Sequence, residues 1–244
     1  MLDNKHEAMF PPTGNCTLWR YTDLTKLLSL LENHQLFFPR ADQFDDPYEG
    51  AFSRAGVALA RKQAQKSGFP AKSVEMMIRN APRFREGMFI SCWNAAEYES
   101  AAMWKLYLQS PEGVAIRADH QRLCAVLEKS PLMARTSMVQ YIDYDQAPVP
   151  MNNGFFPFVH KRLSFAHESE LRAIIWSWED VNQKQIAADA TSVSIDVEPK
   201  DLIQAIHVSP SAPLWFGRLV EQLARRYGLD VPVIRSTLYD RPAY

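Results

Sequence analysis

Two rhythms of apolar and polar positions interleave along the chain, one of period two and one of period 3.6. Thr17–Tyr21 (T-L-W-R-Y) alternates and predicts a short strand, and Thr22 or Asp23 then caps a helix carrying Leu24, Leu27, Leu28 and Leu31 on one face. Leu36–Phe38 predicts a second strand. In Asp46-Pro47-Tyr48-Glu49 an N-cap, an N1 proline and an N3 glutamate stand in capping-box order. Helices are expected over 50–66 and 72–86, then a buried strand over 88–93 and a helix over 99–108. A strand at 114–117 and a helix at 119–129 follow, then a half-buried strand at 137–144. Pro148, Pro150 and Asn152-Asn153-Gly154 mark the longest break, at 145–154. Residues 155–163 read as helical, and 168–176 and 192–197 as strands. The tail repeats strand 205–208, helix 213–227, strand 231–235.

The order of elements predicts a mixed α+β fold, with scattered short strands and peripheral helices rather than a regular doubly wound sheet. Residues 1–16, ending at Pro11-Pro12-Thr13-Gly14, read as a loose lead-in, and 17–244 as one domain with a possible C-terminal β-α-β unit at 205–235. A chain of 244 residues is long enough to bury a core without metal or disulfide staples. Lys plus Arg is 27 against 28 Asp plus Glu, which argues against a protein whose main partner is nucleic-acid phosphate. Cys16, Cys92 and Cys124 are scattered with no C-x-x-C pair, so neither a zinc site nor a disulfide framework is expected. With no apolar leader and no long apolar run, the expectation is a cytoplasmic protein without a membrane partner.

His167-Glu168-Ser169-Glu170-Leu171-Arg172 is the most informative segment for chemistry. On a strand, Glu168, Glu170 and Arg172 share one face, about 6.6–6.8 Å apart. Two carboxylates this close raise at least one pKa unless a cation intervenes, and Arg172 could be that cation. The bland alternative is a solvated charge ladder. Arg20, pointing away from Trp19 and Tyr21, could clamp a phosphate pair through its planar fork; its alternative is an ion pair with an acid such as Glu168 or Asp46. Ser91, in F-I-S-C-W-N (89–94), could meet a ligand where backbone must come close, or be a satisfied core serine. Cys92 lacks a histidine at a telling spacing and reads as a buried thiol. The six histidines form no H-x-x-x-H or H-E-x-x-H, so no metal is expected. Asp46, Glu49, Glu168 and Glu170 could bind Mg²⁺ in a nuclease-like site, although Asp46 and Glu49 already have the capping explanation. No P-loop or G-x-G-x-x-G is present.

The runs L-W-R-Y (18–21), L-F-F-P-R-A-D-Q-F-D-D-P-Y-E (36–49), I-S-C-W (90–93), M-W-K-L-Y (103–107), G-V-A-I (113–116), Y-I-D-Y (141–144) and K-R-L-S-F-A-H-E-S-E-L-R (161–172) resemble the bacterial family called domain of unknown function 2971. They follow that family's order over most of 18–172. The family usually has Asn at the position of Asp45 and Cys-Phe at Cys92-Trp93. It carries no settled activity.

A second resemblance, to ADP-ribosyltransferases, supplies a mechanism. That pattern is Arg or His on the first strand, Ser or Tyr on a middle strand and Glu on a later one, and this chain offers Arg20, Ser91 and Glu168-Ser169-Glu170 in that order. The resemblance implies an ADP-ribosyltransferase-like core in which Arg20 and Ser91 hold NAD. Glu170 would bond the nicotinamide-ribose 2′-OH and stabilise an oxocarbenium-like centre, and Glu168 would orient the nucleophile. Trp19, Tyr21 or Trp93 would stack on nicotinamide or adenine. Three readings therefore stand. The first is an NAD-using ADP-ribosyltransferase-like or NAD-cleaving enzyme, in a defence or toxin role, with a protein or nucleic-acid acceptor. The second is a non-catalytic ligand-sensing or interaction domain with a structural Arg–Glu network. The third is a metal-dependent nuclease.

Overall fold

The computed structural model describes residues 1–67, 70–108 and 110–242. The strands are β1 (Thr17–Asp23), β2 (Gln35–Pro39), β3 (Met88–Ala95), β4 (Gly113–Asp119), β5 (Arg135–Met138), β6 (Gln140–Ile142), β7 (His160–Arg162), β8 (Glu170–Trp176), β9 (Ser192–Asp196), β10 (Ala205–Val208) and β11 (Val233–Arg235). The helices are α1 (Leu24–Asn33), α2 (Arg54–Ser67), α3 (Ala71–Gly87), α4 (Ala101–Tyr107), α5 (His120–Glu128), α6 (Asp180–Gln183), α7 (Pro199–Leu202) and α8 (Leu214–Arg226). The fold is thus mixed α and β, and most of its strand pairings are antiparallel. Among the described residues no helix is long and apolar enough to cross a membrane.

The chain divides into two compact units. One comprises Thr13–Phe37, Trp93–Ser130 and Ser194–Tyr244. Its strands run in the order β11-β10-β4-β1, with Asn94 and Ala95 of β3 against Trp19 and Leu18. The β10–β11 pair is parallel, and α8 is the connection between its two strands, the β-α-β unit that the tail's rhythm predicts. The Asp23 carboxylate caps α1 by accepting from the Lys26 amide at 2.8 Å, as an N-cap aspartate does. Trp19 and Tyr21 leave one face of β1 and pack with Met103, Trp104 and Ala115.

The other unit comprises Met1–Pro12, Phe38–Cys92 and Pro131–Val193. Here β3, β8 and β5 are neighbours in that order, β8 and β5 antiparallel, while β6 and β7 form a short parallel pair. Its core collects Met9, Met88, Ile90, Phe155, Phe158, Val159 and Ile174. The start of the chain is not a loose lead-in. The Met1 amino group donates to the Leu132 carbonyl at 3.0 Å, Leu2 bridges Ala134, and Asp3 pairs with the buried Arg135 at 2.9 Å.

Two local readings change in the structure. Residues 155–163 are not one helix: a single 3-10 turn at 156–158 leads into β7, because Pro157 denies the backbone a donor and the His160–Arg162 carbonyls and amides pair with β6 instead. Asp46-Pro47-Tyr48-Glu49 does not open a helix either, since α2 begins only at Arg54. The Asp46 carboxylate instead accepts from the Tyr48 amide at 3.0 Å in a tight turn. That turn closes at Gly50, whose φ is +70° and where a Cβ would lie 2.7 Å from the Phe158 ring. The turn matters because it buries the carboxylate of Glu49.

Candidate functional site

A closed group of charges lies in the unit that holds β8. Arg172, fully buried, donates through Nη1 and Nη2 to the two oxygens of Glu49 at 2.5 and 2.8 Å. Its Nε donates to Glu170 Oε1 at 2.9 Å and its Nη1 to the Phe158 carbonyl at 2.8 Å. Lys161 on β7 reaches Glu168 at 2.5 Å and Glu170 at 3.0 Å through one ammonium. Each partner is placed by its own element. Glu170 and Arg172 share a face of β8 by simple alternation. Lys161 comes from β7, the partner of β6, and Glu49 from the turn sealed by Gly50. Glu168 ends a 3-10 segment rather than lying on the strand, and Ser169, at φ +41°, turns the chain between the two glutamates. A left-handed serine is uncommon, and here the carboxylates on both sides of it converge on Lys161.

Three carboxylates against two cations leave one excess negative charge, and the carboxyls divide it unequally. Burial pushes Glu170 up, but the charges of Arg172 and Lys161 outweigh it and hold the carboxyl down at about 2. Burial dominates at Glu168 and raises it, with Lys161 opposing and Glu170 adding to the rise. Of the two glutamates on Lys161, Glu168 therefore takes up a proton first. The Cys92 thiol, partly exposed, is pushed well up by desolvation and then by Glu170, which disfavours its thiolate.

Beside this group is a half-open cleft of about 370 Å³, lined in part by Tyr48, Phe52, Arg54, Tyr144, Arg162 and Ser164. The Arg162 guanidinium carbon stands 4.0 Å above the centre of the Tyr48 ring, and its Nη2 donates to Asp46 at 2.9 Å. Arg54 meets Asp145 at 3.1 Å with its side chain 78% exposed, so its fork is available to solvent.

Of the residues that the sequence singles out, Ser91, Glu168 and Glu170 belong to this unit. Glu168 and Glu170 meet at Lys161, and Ser91 is wholly buried in β3. Arg20, Tyr21 and Trp93 belong to the other unit. There the Arg20 guanidinium lies 5.5 Å from the Trp93 ring centre, and its Nη2 donates to the Phe37 carbonyl at 3.2 Å. Tyr21 points to the opposite face, where its hydroxyl accepts from the Ser100 amide at 2.6 Å and burial pushes the phenol up to about 12. Trp93 is 1% exposed and the Tyr21 ring is already edge-on to Trp104 at 5.0 Å, so neither ring offers an open face for stacking.

Sequence reasoning misses Lys161, and it names Glu49 only as a cap or a metal ligand, missing its pairing with Arg172. The signal for Lys161 is its place nine residues before Glu170; for Glu49 it is an acid beside a glycine. Of the four acids in the nuclease reading, Asp46 is paired with Arg162, Glu49 with Arg172, Glu168 with Lys161 and Glu170 with both Lys161 and Arg172. Among the described residues no group of His, Cys, Asp and Glu is arranged to hold a metal ion.

No family model, curated protein or solved structure matches this chain.

The buried titratable groups set a pH window for stability. Burial lowers His120, His160 and His207 below 6.5, so the unfolded chain takes up protons that the folded one refuses, and stability falls as pH drops through 6.5. Burial raises Cys16 and Cys92 above 9.0 and Tyr21, Tyr141 and Tyr144 above 10.0, so stability falls again as the unfolded thiols and then the phenols ionise above those values. Thermal melts from pH 4 to 11 should show a plateau between these limits. A melting temperature unchanged from pH 7 to 5 would contradict the acid side of this account.

Proposed function

We propose that the protein is a non-catalytic binding domain for a small-molecule nucleotide, with the Glu49–Arg172–Glu170–Lys161–Glu168 group as its internal brace and the Tyr48–Arg162 cleft as its ligand site. The observation that carries this reading is the state of Glu170. Both of its oxygens are bonded to cations of the protein, and its side chain is 5% exposed. A carboxylate neutralised in this way has little field left for a developing positive charge on a ribose. The cleft offers a volume at the lower end of ligand pockets, aromatic walls for a base, and two arginines whose present carboxylate partners, Asp145 and Asp46, a phosphate would replace.

Calorimetry with ADP tests this reading. ADP should bind saturably, and Arg54→Ala should weaken it about tenfold, the loss of one charge-assisted contact. Absence of ADP binding, or an unchanged affinity in the variant, overturns the assignment of the cleft.

The second reading is the NAD-using ADP-ribosyltransferase-like enzyme, with Glu168 and Glu170 at the ribose. One observation favours it: the two carboxyls are pushed in opposite directions, which is the pattern of an acid–base pair. Nicotinamide release from NAD by the purified protein, with protein and nucleic-acid acceptors present, would replace the first reading by this one.

A further inference from the structure

We propose that Cys124 and Cys16 form a hydroperoxide-sensitive dithiol, with His120 as the base that activates Cys124. The pair lies in the unit that contains β1 and β4. Thr17 is registered opposite Asp119, and the next pair outward is joined by a hydrogen bond from the His120 amide to the Cys16 carbonyl at 3.0 Å. Cys16 therefore abuts the first turn of α5. Cys124 lies one turn further along the same helix stripe, and its sulfur is 3.2 Å from His120 Nε2. His120 thus touches both cysteines, one through its backbone and one through its ring. All three side chains are partly exposed, which a solvent-borne oxidant requires. All three cysteines of the chain are in the thiol form, and Cys92 lies in the other unit among Glu170 and Arg172.

The chemistry balances without a cofactor. His120 Nε2, as the neutral imidazole, takes the Cys124 proton. The thiolate attacks one oxygen of hydrogen peroxide; the S–O bond forms, the O–O bond breaks, and the leaving hydroxide takes the imidazolium proton as water. The Cys16 sulfur then attacks the sulfenic sulfur; the S–S bond forms, the S–O bond breaks, and a second water leaves. Two thiols are oxidised by two electrons and one peroxide is reduced. The division of roles follows from surroundings. Burial lowers His120, so at pH 7 its ring is neutral, and the 3.2 Å contact sets its Nε2 against the Cys124 sulfur. Burial and the Asp119 charge raise Cys16, which suits it to the resolving step rather than the first attack.

The full chain, treated with a few equivalents of hydrogen peroxide at pH 7 and digested with trypsin, reads this directly. The expected product has lost two hydrogens, joins peptide 6–20 to peptide 123–129, and separates on reduction with dithiothreitol. His120→Gln should slow its formation about tenfold at pH 7 and much less at pH 9, where thiolate forms without a base. Both thiols remaining reduced, Cys124 passing to the sulfinic acid alone, or a link to Cys92 would overturn the dithiol. Equal rates in the native protein and the variant at pH 7 would overturn the role of His120. The native protein alone decides the first question, so a variant that fails to fold leaves the inference open to refutation.

Discussion

Arg172→Met should cost the protein about 3–5 kcal/mol of stability, the penalty for leaving buried carboxylates without their cation. Arg172 is 0% exposed and is the sole cation on Glu49 among the described residues. Methionine fills much the same volume, so the loss reports charge rather than a cavity. Urea unfolding at pH 7 measures it, and a fall in midpoint without a change in slope marks a stability effect on a two-state transition. The carboxylates, not the missing guanidinium, are the source of the cost. Adding Glu49→Gln to Arg172→Met should therefore recover a clear part of the loss, because one stranded charge is removed with its shape kept. A double variant less stable than Arg172→Met alone would count against the brace. So would a single variant within about 1 kcal/mol of the native protein, since buried pairs broken on one side do not behave that way.

The parts of this group that are legible in the sequence are those set by local rhythm. Glu170 and Arg172 share a face because β8 alternates, and Leu171, Ala173 and Ile175 give that alternation away. Trp19 and Tyr21 separate from Arg20 for the same reason. What local rhythm does not carry is long-range pairing. Glu49 and Arg172 are 123 residues apart, and the turn around Asp46 offers a capping box that explains Glu49 without any distant partner. Tertiary pairing overrides that local preference, because a buried guanidinium needs a carboxylate more than a helix end needs a second cap. Lys161 is hidden for a related reason. Phe155–Leu163 has apolar residues at helical spacing, and only Pro157 and the β6 partner convert its end into a strand. The left-handed Ser169 is invisible as well: no glycine or asparagine marks it, and it takes Glu168 off the strand that a seamless alternation would assign to it. The start of the chain reads as loose because it is polar, yet Asp3 is drawn down by Arg135, a cation buried in the strand beside it.

Glu170→Gln separates the brace from the catalyst. A carboxyl held at about 2, against 4.5 when unperturbed, corresponds to about 3 kcal/mol at 1.36 kcal/mol per pH unit. Because the folded value is depressed, that contribution is fully present above 4.5 and disappears as pH falls towards 2. Glutamine keeps the shape but accepts less strongly from Arg172 and Lys161, so the variant should be about 3 kcal/mol less stable at pH 7. Its deficit relative to the native protein should shrink at pH 3, where the unfolded chain's carboxyl is already protonated and must give up its proton on folding. The change at Glu168 runs the other way: its raised carboxyl gains stability on protonation, so it cannot mimic this acid-sensitive loss. Paired urea titrations at pH 7 and pH 3 measure both values, and ADP affinity measured beside them should stay within about twofold of native because Glu170 does not line the cleft. A catalytic Glu170 would give the opposite signature. Sites that hold charge for a transition state are held at a cost in stability, so Gln would leave the protein as stable or more so while NAD turnover collapsed by orders of magnitude. A deficit of equal size at both pH values would instead trace the loss to packing, and the charge account of this brace would then be wrong.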